Sequence, residues 1–139
     1  MARVLLVFGL LASLLLFSAD GARSEEADHE LVRSPPPVAL KIGQKVALSL
    51  SVVPRAGHRL LAEGPLLVRL TGDGVRPARV LYQRDEAVDP RADVPRFELA
   101  FTAERKGPAV LTAHCTFYLC KAARCRPVET TATWELNIN

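Results

Sequence analysis

Two cysteines with four residues between them, in Cys120-Lys121-Ala122-Ala123-Arg124-Cys125-Arg126-Pro127, are the part of this chain most able to do chemistry. A thiolate attacks disulfides and is the species that exchanges them. Cations nearby favour the thiolate over the thiol. Lys121, Arg124 and Arg126 stand within a few residues of both sulfurs, so the sequence predicts that they tune the pair for exchange. The competing reading is inert: a bond that staples a hairpin. Loop entropy for so small a ring amounts to ~2 kcal/mol at most.

Side-chain alternation decides which sulfurs can meet. In the stretch 109–120, one parity carries Leu111, Ala113, Cys115, Phe117 and Leu119, and the other carries Thr112, His114, Thr116, Tyr118 and Cys120. The apolar parity is the core face. In 125–138, Val128, Ala132, Trp134, Leu136 and Ile138 share the core parity while Cys125 shares the outer one. Cys120 and Cys125 are therefore expected on one face of a hairpin, with α-carbons ~4.5 Å apart if they oppose each other in a non-hydrogen-bonded pair. Cys115 lies on the other face about 16 Å along the strand, at ~3.3 Å per residue, and reads as a small buried side chain with an unreactive thiol. Two cysteines are too few for zinc, and His114 falls about 20 Å from Cys120 by strand rise, so no metal is expected. The sequence has no nucleophile elbow and no phosphate loop, and no cofactor is expected.

The elements that must hold this hairpin read as strands. Val46, Leu48, Leu50 and Val52 alternate with small or polar residues, as do Phe97, Leu99 and Phe101. That period of two marks half-buried strands. Further strands are predicted at 66–70, about 80–82, 109–120 and 125–138, with a turn at Thr71-Gly72-Asp73-Gly74 and another at Lys106-Gly107-Pro108. The stretch 83–95 reads as a long loop, because Pro90 and Pro95 break any helix. Seven or so short strands without an amphipathic helix predict an all-β fold, an immunoglobulin-like antiparallel β-sandwich.

Arg3 followed by the apolar run 4–17 and the small residues Ser18, Ala19 and Gly21 has the layout of a signal peptide, which assigns 1–21 to export. Such a run is shorter than the ~20 residues a bilayer span needs, so no stable membrane anchor is expected. Residues 22–37, charged and then proline-rich, read as a leader, and 38–139 as one domain; about 118 residues remain after export. Export places the cysteines where disulfides persist. The net charge of +3 comes from scattered arginines interleaved with acids, without the basic run that tracks nucleic acid, so no nucleic-acid partner is expected.

The segment 120–130, two close cysteines followed by a proline and Glu129-Thr130, resembles the active-site hairpin of the N-terminal periplasmic domain of the DsbD thiol:disulfide interchange family. The likeness runs from Gly57-His58-Arg59-Leu60-Leu61 to the last strand. It implies an immunoglobulin-like periplasmic domain that takes electrons from a membrane redox protein and hands them to thioredoxin-fold partners. Carried over by position, Cys125 would attack the partner's disulfide and Cys120 would resolve the mixed disulfide. The family shields its sulfurs with a cap loop of an acidic pair and a phenylalanine; Asp85 and Glu86 match the pair, and Ala87 stands where the phenylalanine would be. His58, Arg59 and Leu61 replace family aromatics, and this hairpin loop is one residue shorter. An electron donor would be a separate protein. Two functions follow from the sequence: an electron-carrying thiol-disulfide exchange module, or a non-catalytic binding or structural sandwich with a stapled hairpin.

Overall fold

Alternation turns Leu48, Leu50 and Val52 of one strand to the same face as Phe97, Leu99 and Phe101 of its neighbour, and all six are buried. These belong to β2 (Lys45–Pro54) and β7 (Arg96–Ala103). The computed structural model describes residues 28–139, so the export segment 1–21 and the start of the leader lie outside the described residues. In chain order the other strands are β1 (His29–Arg33), β3 (His58–Leu60), β4 (Leu66–Asp73), β5 (Val75–Pro77), β6 (Leu81–Gln83), β8 (Gly107–Lys121) and β9 (Arg124–Ile138). They form two antiparallel sheets: β1-β2-β7-β5, and a second in which β8 lies between β9 on one side and β4 and β3 on the other, with β6 beyond β4.

The inner faces meet in a core of aliphatic and aromatic side chains, with Trp134, Phe97, Phe101 and Phe117 the largest. Each such side chain contributes about 1.5–3 kcal/mol on burial. No polar or charged residue among the described ones is buried, so hydrophobic packing between sheets is what holds the sandwich closed.

Three features depart from the sequence reading. The leader is not all leader: from His29 it forms β1, paired along its length with β2. Leu31 packs against the core, and His29 meets Phe117 edge-on at 5.4 Å between ring centres. Its composition concealed it, because only alternate residues of a five-residue edge strand face inward. The indole Nε1–H of Trp134 then donates to the Ser34 carbonyl at 2.9 Å, fastening the end of β1 to β9. Secondly, β4 continues through Thr71, Gly72 and Asp73, where the sequence suggests a turn. The reversal falls at Gly74, whose φ of 80° suits glycine and whose added Cβ would sit 2.9 Å from that of Ala109. Thirdly, β3 and β5 are three-residue strands, too short to show a period.

Candidate functional site

β8 and β9 run paired for their full fifteen residues, and the register ends with Cys120 opposite Cys125 and Lys121 opposite Arg124. Only Ala122 and Ala123 are left to turn the chain. Two-residue hairpin turns need positive φ at their first position and favour glycine or asparagine there. Ala122 supplies it without that help, at φ 53°. For an L-residue with a Cβ this costs ~1–2 kcal/mol.

The two cysteines point to the outer face, as alternation predicts, and are joined by a disulfide with Cα atoms 4.0 Å apart. Their surroundings are unequal. Cys120 sits on the interior strand β8, between Cys125 of β9 and Arg59 of β3, and is 0% exposed. Cys125 sits on the edge strand β9 and is exposed. A thiol approaching from solvent therefore meets the Cys125 sulfur first. A cavity of about 410 Å3 opens at the tip, lined mainly from the face opposite the sulfurs by His58, Leu119, Lys121, Arg124 and Arg126, with Cys125 also on its wall.

The three cations expected to tune the sulfurs lie close in sequence but on the other side of the ribbon. Lys121, Arg124 and Arg126 have the parity opposite to the cysteines, so their charges act across the hairpin rather than beside the sulfurs. Arg126 is further occupied by an ion pair with Asp28, just before β1, which ties the hairpin to the opposite sheet. The cation that shares the sulfurs' face is Arg59, directly opposite Cys120 in register, with its guanidinium donating to the Ala122 carbonyl at 3.3 Å. The sequence offered no signal for that role beyond a missing aromatic, since β3 is only three residues long.

Asp85, Glu86 and Ala87 do not reach the cavity beside Cys125. Asp85 and Glu86 belong to a short 3-10 helix, Arg84–Glu86; Glu86 accepts from the Gln83 backbone N–H at 2.6 Å and pairs with Arg79. Ala87 turns inward and is buried in the core. The side chain at this position packs inside the sandwich, so a cap over the sulfurs does not form from it.

Cys115 is free and buried on the core face, level with Val68 and Thr130. Loss of solvation pushes its thiol up to about 12, which leaves it protonated and unreactive near neutrality.

No family model matches the chain, and no curated protein matches it. Among solved structures, part of an Escherichia coli alpha-2-macroglobulin, spanning domain MG7 to the C-terminus, is similar at 13% identity over 80% of this chain, with a TM-score of 0.52. The chain spans only 16% of that structure's length, and the likeness extends to the fold alone. AggA, the major subunit of E. coli aggregative adherence fimbriae type I, aligns over 80% of this chain and 94% of its own at 14% identity, with a TM-score of 0.43. The CooA pilin subunit of enterotoxigenic E. coli aligns over 81% of this chain and 99% of its own at 14% identity, with a TM-score of 0.36. The chain is an immunoglobulin-like antiparallel β-sandwich with one disulfide at the tip of its last hairpin. Among the described residues no helix is long and apolar enough to cross a membrane.

Proposed function

We propose that this is an exported, non-catalytic binding or structural β-sandwich whose Cys120–Cys125 disulfide staples its terminal hairpin. The observation that carries the reading is the strained turn at Ala122 sitting two residues from a disulfide between register partners. A positive-φ alanine costs the folded tip about 1–2 kcal/mol, and the bond offsets this by about 2 kcal/mol because it constrains the unfolded chain. The two are the same size, so the bond gives back what the turn costs. With Cys120 buried and three neighbouring cations on the opposite face, the surroundings of the sulfurs do little to promote exchange.

A second reading, thiol-disulfide exchange as the DsbD resemblance implies, is favoured by one observation: Cys125 is exposed while Cys120 is not. In that reading the reduced Cys125 thiolate attacks a partner's disulfide, displacing one partner sulfur as thiolate and forming a mixed disulfide. Cys120 thiolate then attacks Cys125 Sγ, releasing the second partner thiolate and restoring the internal bond. Two electrons pass to the partner, which is reduced while this pair is oxidised. The reduction potential separates the readings. Equilibration with a glutathione or dithiothreitol couple is expected to give a value below about −300 mV, as for structural bonds, whereas a value in the range of thioredoxin-fold oxidoreductases, about −120 to −270 mV, would replace the staple with the carrier.

A further inference from the structure

On the other side of β3 from the hairpin, a cavity of about 560 Å3 lies between that strand and the loop that follows the 3-10 helix. Arg59, Arg84 and Arg91 all line it, with His58, Leu60 and a single acid, Asp93. Most other arginines of the sandwich are spent: Arg55, Arg76, Arg79, Arg96, Arg105 and Arg126 are each paired with an acidic side chain. The three here have no ion-pair partner among the described residues, and Asp93 has none either. A guanidinium carries five N–H donors. Arg84 uses one on the Leu61 carbonyl at 2.9 Å, which fixes its position, and its Nε–H is buried without an acceptor among the described residues. Arg59 uses one on the Ala122 carbonyl.

We propose that this cavity is a binding site for a small organic oxyanion, a molecule carrying carboxylate or phosphate groups. Three arginines line this cavity with a single carboxylate, so positive charge is in excess there and guanidinium donors stand unused. An oxyanion relieves both conditions, because the planar guanidinium fork matches carboxylate and phosphate oxygens two at a time. The volume falls within the roughly 300–1,000 Å3 typical of small-molecule sites and exceeds what a bare ion needs. Leu60 and the proline and alanine residues of the wall supply apolar contact for the ligand's carbon frame.

The test is a titration of the full exported protein, followed by backbone amide NMR shifts, with citrate, with glycerol 3-phosphate, and with sodium chloride at matched ionic strength. Saturable shifts at residues 58–62 and 84–93 with either organic anion, beyond those with chloride, are expected. Citrate alone acting assigns the carboxylate, and glycerol 3-phosphate alone assigns the phosphate ester. R84Q is expected to weaken binding at least about tenfold, the loss of a charged hydrogen bond. Should R84Q fail to fold, the exposed pair R59Q/R91Q carries the same test, with binding lost while the amide spectrum stays folded. Shifts no larger than those of chloride, or wild-type affinity in R59Q/R91Q, would overturn the proposal.

Discussion

The coupling between the Ala122 turn and the disulfide gives the sharpest prediction. Reducing the bond, or replacing both cysteines with serine, is expected to lower stability by about 2 kcal/mol, the loop-entropy value for a ring this small. For a domain of about a hundred residues that is a fall in Tm of about 10 °C. A122G removes the left-handed penalty of ~1–2 kcal/mol but adds ~0.5–1 kcal/mol of backbone entropy to the unfolded chain, leaving a net gain of about 0.5–1 kcal/mol. In the oxidised protein the tip stays closed and the whole gain appears. In the reduced protein the tip frays, the strain is already released in part, and the gain is the same or smaller. Urea unfolding of wild type and A122G, each with and without reductant, completes the cycle, with the midpoint and slope fitted separately so that changes in the unfolded state are seen. The reasoning fails if A122G destabilises both forms, or if its benefit appears only after reduction. A stability change below about 0.5 kcal/mol on reduction would likewise remove the stapling role assigned to the bond, since surface changes of no consequence fall in that range.

Partner trapping checks the exchange reading: C120S is expected to accumulate no mixed disulfide with thioredoxin-fold proteins, and a complex trapped through Cys125 that C125S abolishes would favour the carrier instead. Cys115 should resist iodoacetamide in the folded protein at pH 8 and react fully in urea, and C115S should cost about 1–3 kcal/mol in denaturant unfolding through its buried hydroxyl. W134F, which removes the donor to Ser34 and shrinks one of the largest buried side chains, should cost about 2–3 kcal/mol and raise amide exchange in β1 more than in β7. His29 titrates below its usual 6.5 because burial disfavours its charged form, while the carboxylate of Asp28 beside it is shared with Arg126. The unfolded chain therefore binds the proton more readily, so His29 contributes a loss of stability as pH falls below about 6.5 towards its folded value. That slope should flatten in H29F, as measured by urea midpoints across that window.

Strand periodicity made the long elements legible. β2, β7, β8 and β9 are each long enough for alternate apolar residues to declare an inner face, and their parity alone put Cys120 and Cys125 together on the outer side and Cys115 within. β1 and β3 were not legible for the opposite reason. A three- to five-residue strand turns one or two side chains inward, and in β1 Leu31 sits among charged neighbours that match the composition of a leader. The same shortness hid Arg59, whose role depends entirely on which strand pairs with the end of β8.

The sequence by itself determined the all-β class, the hairpin and the pairing of its sulfurs, because side-chain period and chain distance are local properties of a strand. It could not decide which sulfur is reachable, which cation from another strand faces the bond, or which arginines line one cavity. Those follow from the order of strands in the sheet. Placing β8 inside and β9 at the edge buries Cys120 and exposes Cys125, and setting β3 beside β8 brings Arg59 to the sulfurs while alternation carries Lys121, Arg124 and Arg126 to the other face.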